Sequence, residues 1–137
     1  MKLEITNSPA KEDNEVIINK TREYNSEFVP CEFEELSVFQ RSDNGEILGG
    51  LTGKTFWGWL HIEYLWVSEL ERGRKVGSQI ILAAESEAIK RGCIGSTLDT
   101  FSFQALGFYE KLGYSLVGKL SGYLGEHERF YLQKKLG

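Results

Sequence analysis

Cysteine is scarce in this sequence, with only Cys31 and Cys93 among 137 residues. Two cysteines are too few for a disulfide framework or a closed zinc site, so neither class of small, cross-linked protein is expected. We expect both residues to be reduced thiols, with Cys93 buried at the start of a strand.

Long apolar runs are also missing. No stretch of about 18 apolar residues, the length that a membrane-spanning helix needs, is present. The first ten residues lack the basic start and the apolar centre of a secretory signal. We therefore expect a cytoplasmic protein that has no membrane partner.

Positive charge is in short supply, because 16 basic residues stand against 20 acidic ones and the net charge is −4. No block of Lys and Arg is long enough to follow a phosphate backbone, so nucleic acid is not an expected partner. An acidic surface is an ordinary device for solubility, which is the favoured interpretation. It would also attract a cationic amine.

Proline is rare, with two residues, and no repeat or low-complexity tract marks a linker between domains. Hydrophobic residues make up 41% of the sequence, enough to bury a core. Residues 1–137 are therefore expected to form a single domain.

Periodicity and turn residues predict the secondary structure. Strands are predicted over residues 2–6, 33–40, 47–54, 56–67, 93–100, 114–121 and 127–136. Helices are predicted over residues 11–28, 75–91 and 103–112. On the long strand, alternation would place six side chains on one face, namely Trp57, Trp59, His61, Glu63, Leu65 and Val67. The order of elements indicates a mixed α/β fold.

A basic, glycine-containing loop lies between the long strand and the 75–91 helix. The first N–H groups of a helix lack intrahelical partners and carry the positive end of its dipole, so they suit an anion. Gly73 and Gly77 would let a pyrophosphate approach the main chain, and three cations could bind its oxygens. These are Arg72, Arg74 and Lys75. A plain strand-to-helix turn with solvated basic residues is an equal alternative for the loop alone.

Two segments resemble the GNAT acetyltransferase superfamily. The segment RGRKVG at residues 72–77 is similar to the family's Q/R-x-x-G-x-G/A loop, with Lys75 in place of the first glycine. The segment ALGFYEKLGY at residues 105–114 is similar to the family's A-x-x-F-Y-x-K-L-G-F pattern. Where family members often carry an asparagine, this chain has Ser102, with Gln104 nearby as a substitute.

The resemblance implies one GNAT-like α/β domain. Its sheet would be mixed but mostly antiparallel, with about seven strands, flanking helices and a V-shaped splay between two parallel strands. Acetyl-CoA would bind in the splay as co-substrate. The implied contact residues are Leu65, Trp66, Val67, Arg72, Gly73, Arg74, Lys75, Val76, Gly77, Ser78, Ser102, Gln104 and Tyr109.

The implied activity is direct transfer of the acetyl group to a primary amine of a small molecule. Because only about one alkyl amine in a thousand is neutral at pH 7, a base must take its proton. Glu63 is the first choice and His61 the competitor. The alternatives are an ion-paired strand carboxylate and a core histidine.

Tyr109 matches the family tyrosine that faces the coenzyme sulfur, so its hydroxyl could protonate the leaving thiolate. Its alternative role is that of a core aromatic residue. A different class of function, a non-catalytic acyl-CoA-binding or sensor module, remains open. The C-terminal hairpin could also support a homodimer.

Overall fold

A computed structural model describes residues 1–137, which divide into two compact units, residues 1–32 and residues 33–137. The first unit contains helix α1 (Lys11–Asn25), none of whose residues is buried. The strand predicted over residues 2–6 is wrong, because these residues pair with no other strand. An unpaired strand leaves its peptide N–H and C=O groups without partners, so alternation alone does not produce one. That the whole chain forms one domain stays a prediction.

The second unit contains a six-stranded sheet with two helices. Its elements are β1 (Glu34–Arg41), β2 (Ile47–Phe56), β3 (Trp59–Val67), α2 (Val76–Lys90), β4 (Gly95–Phe101), α3 (Leu106–Lys111), β5 (Ser115–Tyr123) and β6 (His127–Lys135). The sheet order is β1-β2-β3-β4-β6-β5, and only β3 and β4 are parallel neighbours. The α/β fold with a mostly antiparallel mixed sheet is thus confirmed, with six strands because residues 2–6 form none.

Helix α2 supplies much of the core. Its buried residues include Ile80, Ala84 and Ala88, which recur every four positions and face strands β1 to β3. The helix ends at Lys90, and Gly92, the predicted stop, follows two residues later with a φ of 87° that glycine readily adopts. Cys93 follows and is buried, as predicted. No helix in the chain is long and apolar enough to cross a membrane.

Strand β3 is shorter than the predicted 56–67 strand. Trp57 and Gly58 form a two-residue turn between β2 and β3, with φ of 50° and 83°. Two positive φ values suit the tight turns whose twist matches that of a hairpin. Trp57 therefore lies in a turn and shares no strand face with the other five residues.

A β-bulge interrupts β3 at Glu63. In the register with β2, Gly53 lies opposite Ile62 and Thr52 lies opposite Tyr64, which leaves Glu63 as an extra residue. An extra residue on one strand bends it and reverses the alternation of side chains beyond it.

Because of the bulge, the side chains of β3 do not all lie on the faces that simple alternation predicts. Before it, Leu60 and Ile62 are buried in the core, whereas beyond it Leu65 and Val67 pack against that core. The prediction that Leu65 and Val67 share the face of His61 is therefore wrong, because one inserted residue shifts the two-residue period.

The two parallel strands separate soon after they meet. Their pairing covers three positions, Trp59 with Gly95, Leu60 with Ser96 and His61 with Thr97. Beyond His61 the strands diverge, while the opposite edge of β4 remains paired with β6 along Gly95–Phe101. The expected V-shaped splay is confirmed, and it opens at the carboxyl ends of β3 and β4.

Candidate active site

A cavity of about 900 Å³ occupies the splay between β3 and β4. Eight residues predicted for the site line it: His61, Glu63, Leu65, Trp66, Val67, Arg72, Gln104 and Tyr109. Seven others do not line it: Gly73, Arg74, Lys75, Val76, Gly77, Ser78 and Ser102. Tertiary structure thus brings the proposed base and acid into one cavity, together with the β3 main chain. The individual binding roles stay predictions.

The divergence of β3 leaves main-chain donors facing the cavity. The N–H of Ser68 donates to the carbonyl of Leu48 at 2.8 Å, so it points toward β2. Successive N–H groups along a strand point to opposite edges. We infer that the N–H groups of Leu65 and Val67 point away from β2, toward the splay. They are suitably placed to stabilise an oxyanion there.

Helix α2 begins after Lys75, which stands where the GNAT loop pattern has its first glycine and adopts a backbone conformation that glycine favours. Lys75 is the N-cap residue and adopts φ 62° and ψ 20°, a left-handed conformation that costs a non-glycine residue about 1–2 kcal/mol. No side chain caps this helix terminus, and its first backbone hydrogen bond runs from the N–H of Gln79 to the carbonyl of Lys75. The N–H groups of residues 76–78 are therefore available to an anion.

The basic residues of the loop lie in different environments. Arg72 lines the cavity, and its Nε donates to the carbonyl of Val67 at 3.3 Å. Arg74 lies 3.9 Å from Glu71 with its side chain 71% exposed. The Glu71 side chain is only 19% exposed, but the separation is long for an ion pair and the Arg74 side chain lies mostly in solvent, so Arg74 is free to rearrange around a ligand. Val76 is buried in the core, which removes its side chain from ligand contact.

Gly77 has a packing role that the sequence did not reveal. A Cβ atom at this position would lie 3.2 Å from Cζ of Phe108 and 3.6 Å from a methyl group of Val67. A contact at the shorter distance forces its neighbour to shift. The absence of a side chain therefore lets α2 approach α3 and β3 closely, in addition to any role near a phosphate.

Three titratable side chains lie close together on the wall of the cavity, those of Lys54, His61 and Glu63. Lys54 Nζ lies 3.6 Å from Glu63 Oε1. The ring of His61 stacks on Phe56 at 4.3 Å between centroids. Burial lowers the pKa of His61, Lys54 lowers it further, and Glu63 opposes this effect. Sequence analysis missed Lys54, since only the β2–β3 register places it opposite His61.

Tyr109 lies on α3 and lines the same cavity as the residues of β3. Burial raises the pKa of its hydroxyl, and the negative charge of Asp99 raises it further. The hydroxyl is therefore protonated at neutral pH and is able to donate. Its ring makes edge contacts with Phe108 and Tyr114 at 5.1 and 6.2 Å, which restrict its orientation.

Two of the predicted site residues, Ser102 and Gln104, lie in the segment after β4 and make different contacts. Gln104 lines the cavity, and its Oε1 accepts hydrogen bonds from the N–H of Phe101 at 2.8 Å and the hydroxyl of Thr100 at 3.2 Å. Ser102 instead accepts from the N–H of Glu128 at 3.0 Å and ties the segment to β6. Of the two, Gln104 has the better access to a ligand.

An ion pair on the cavity wall was not anticipated from the sequence. Arg129 Nε donates to Asp99 Oδ1 at 3.0 Å, and both residues line the cavity. The guanidinium also lies 5.5 Å from the ring centroid of Phe101 and 5.1 Å from that of Tyr131. The two residues meet because β4 and β6 pair in one particular register, which no local pattern specifies.

Comparisons with known proteins agree with this geometry. Residues 6–114 match the model of the acetyltransferase (GNAT) family. The chain is 42% identical over 91 residues to blasticidin-S acetyltransferase from Streptomyces morookaense, which covers 66% of this chain and 67% of that protein. A crystal structure of an Agrobacterium tumefaciens protein assigned as an acetyltransferase has a TM-score of 0.94 and 30% identity, covering 99% of this chain and 100% of that one.

A more distant structure of the same fold contains the acetyl donor. A Bacillus anthracis protein assigned as a streptothricin acetyltransferase was solved with acetyl coenzyme A, at a TM-score of 0.68 and 21% identity over 82% of this chain and 68% of that one. The open splay suits the thioester-bearing arm of a coenzyme, and the uncapped start of α2 suits the pyrophosphate to which that arm is attached. This chain belongs to the acetyltransferase (GNAT) family, and it is an acetyl-CoA-dependent N-acetyltransferase.

Proposed function

We propose that the acceptor is a primary amine of a small molecule, which attacks the acetyl group directly, with Glu63 as base and Tyr109 as acid. The observation that carries the proposal is the position of Glu63, at the bulge where β3 leaves β4 and in the same cavity as Tyr109. Bulges are frequent beside active sites because they redirect a side chain from its strand face.

The small-molecule acceptor is supported by a relative and by the cavity. The Streptomyces relative is, by its name, an acetyltransferase for blasticidin S, which makes an antibiotic-type amine a reasonable acceptor class. The cavity of about 900 Å³ lies within the range common for small-ligand sites, about 300–1,000 Å³. We expect amines of this class to be better acceptors than large protein substrates.

The acid–base assignment follows from the chemistry of an amine. An ammonium group must lose a proton before it attacks, and the Glu63 carboxylate lines the cavity with an amine already nearby, Lys54 at 3.6 Å. His61 is the competing base, because its lowered pKa leaves the imidazole neutral at pH 7. Its stacking on Phe56 is consistent with a positioning role instead.

The reaction also needs groups that stabilise the negative charge that develops on the carbonyl oxygen and on the departing sulfur. The N–H groups of Leu65 and Val67, directed toward the splay, would stabilise the oxyanion. The Tyr109 hydroxyl is protonated and would donate to the departing sulfur. The thioester supplies an activated acetyl group, and these residues orient it and move the protons.

Thiol release from acetyl-CoA, measured with a panel of small amines, tests the proposal. Glu63→Gln should lower turnover by about 10²–10⁴-fold. Glu69→Gln is the matched control, since it removes an exposed carboxylate from the short 3₁₀ helix Glu69–Glu71, and Glu69 does not line the cavity. It should keep near-normal turnover.

Three results would contradict parts of the proposal. A near-normal rate in Glu63→Gln would assign the base elsewhere, and His61→Gln would be measured next. Efficient turnover of protein N-termini but not small amines would contradict the acceptor class. Thermal protection by acetyl-CoA, with no thiol release in the presence of any amine, would favour a binding module over the enzyme.

A further inference from the structure

Lys54 places a primary amine inside the site that is proposed to acetylate primary amines. It lies on β2 opposite His61 and lines the same cavity as Tyr109. Its Nζ is 3.6 Å from Glu63 Oε1, and the two side chains are 44% and 45% exposed.

The position matters because of what an acceptor must do. An acceptor's ammonium group has to approach the base within hydrogen-bond reach, directly or through one water molecule. Lys54 Nζ, 3.6 Å from Glu63 Oε1, already lies close to the point where an acceptor's amine would meet this carboxylate. It therefore occupies the place of the acceptor's amine, and its four-carbon stem has the flexibility to turn toward the acyl group.

We propose that Lys54 is a self-acetylation site, which receives the acetyl group of bound acetyl-CoA when no acceptor is present. This inference rests on the proposed function, since it uses Glu63 as base and Tyr109 as acid. Its reactive group is the chain's own lysine, so the product is a modified protein.

The chemical step balances without any further reactant. Glu63 takes one proton from the Lys54 ammonium, and the neutral Nζ attacks the thioester carbonyl carbon. A C–N bond forms and the C–S bond breaks, with the electron pair leaving on sulfur. The second Nζ proton passes to the thiolate by way of Tyr109. The products are Nε-acetyl-Lys54, free coenzyme A as the thiol, and one proton released to solvent from Glu63.

Acetylation would change the site in two ways. An acetamide would occupy the approach to Glu63, so an acceptor amine would be excluded and turnover would fall. The positive charge that helps to lower the pKa of His61 would also disappear. Because acetylation needs an unoccupied acceptor site, saturating acceptor should protect Lys54.

The experiment incubates the full chain with isotopically labelled acetyl-CoA and no acceptor, and peptide mass spectrometry follows each lysine. Lys11 and Lys20 report spontaneous acetylation, because their side chains are 86% and 76% exposed. Despite its lower exposure, Lys54 should react at least about tenfold faster, as expected for a positioned nucleophile. Its rate should saturate with acetyl-CoA and fall when coenzyme A or a good acceptor is added.

Lys54→Arg provides a matched variant. Arginine keeps a cation beside Glu63 but is not an acetylatable amine, so label at this position should vanish while Lys11 and Lys20 keep their slow rates. A thermal melt checks that the variant is folded. Tyr109→Phe should slow labelling of Lys54 without affecting the two exposed lysines.

Labelling of Lys54 no faster than that of Lys11 and Lys20, or unaffected by coenzyme A, would overturn the inference and leave an ordinary ion pair. The same preparation is assayed with the amine panel. Thiol release with amines but no rapid labelling of Lys54 would overturn only the self-acetylation. Loss of both reactions would overturn the proposed function together with it.

Discussion

The two edges of β4 differ in a way that separates stability from function. Toward β6, the strand is paired along its whole length, Gly95–Phe101, whereas toward β3 it is paired at only three positions. The fully paired edge, called here the closed side, satisfies its peptide groups within the protein. The other edge, the open side, leaves main-chain and side-chain groups for ligands. One strand can thus be held rigidly by one neighbour while it forms a binding cleft with the other.

The closed side also contains the most buried polar network. Glu85 accepts hydrogen bonds from the hydroxyl of Tyr114 and from Lys134 Nζ, both at 2.8 Å, and Ser96 lies 2.8 Å from the same hydroxyl. Burial raises the pKa of Tyr114, so its hydroxyl remains a donor. No buried side-chain nitrogen or oxygen lacks a partner. This network joins α2, β4 and β6 and supports the strand that borders the cleft.

The largest expected effect is on the open side, in Tyr109→Phe. Removal of a general acid typically lowers turnover by about 10²–10⁴-fold, and the retained ring should keep the fold and the coenzyme affinity. Thiol-release kinetics and a thermal melt measure both. Tyr64→Phe is the control, because Tyr64 also lines the cavity but is 75% exposed on β3. Equal losses in both variants would argue against an acid role specific to Tyr109.

On the closed side, Leu132→Ala should reduce the free energy of unfolding by about 2–5 kcal/mol. Leu132 is fully buried on β6 opposite Leu98, so its truncation leaves a cavity. Denaturant unfolding measures the loss, and the folded fraction should retain its acetyl-CoA affinity. Leu120→Ala, at a side chain 49% exposed on β5, should change stability by less than about 0.5 kcal/mol. A similar loss at both positions would contradict the assignment of the core.

A smaller effect is expected where α2 begins, in Gly77→Asp compared with Gly77→Ala. Both variants place a Cβ atom 3.2 Å from Phe108, so both change the packing there in the same way, and a thermal melt checks that each is folded. Only Asp adds a negative charge beside the uncapped N–H groups, and loss of a charge-assisted hydrogen bond costs about 1.5–3 kcal/mol, or roughly 10–150-fold in affinity. Calorimetric titration with coenzyme A separates the two. Equal affinities would mean that the pyrophosphate binds elsewhere.

The smallest effect is expected for Lys75→Gly. Relief of the left-handed conformation should stabilise the folded state by about 1 kcal/mol or less, since glycine also gains freedom in the unfolded chain. Arg74→Gly is the control, because Arg74 has no positive φ to relieve. Denaturant unfolding measures both variants. Stabilisation by Arg74→Gly but not Lys75→Gly would contradict the conformational explanation.

Local sequence patterns predicted many of the helices and strands, because these elements depend on interactions between residues close together in the chain. The four-residue spacing along α2 and the glycine after it specify an amphipathic helix and its end, and the structure contains both. The strand over residues 2–6 failed for the converse reason, since a strand exists only where a partner pairs with it. Trp57 was misplaced because aromatic content favours strands, while the hairpin needed a turn there.

The candidate site shows the same division. The segments at residues 72–77 and 105–114 were enough to indicate acetyl-CoA, because both resemble segments of the GNAT family and this resemblance implies that co-substrate. The bulge at Glu63, the ion pair of Arg129 with Asp99 and the amine of Lys54 left no such signal. Each depends on the register between two strands.

By itself, therefore, the sequence determined the positions of most helices and strands, since these depend on residues close together in the chain, and its resemblance to the GNAT family indicated the acetyl donor. Tertiary structure alone decided where β3 parts from β4, and which side chains meet in the cleft. The physical reason is that a strand's register and divergence are set by the packing of distant segments, and a shift of one residue reverses every side chain beyond it.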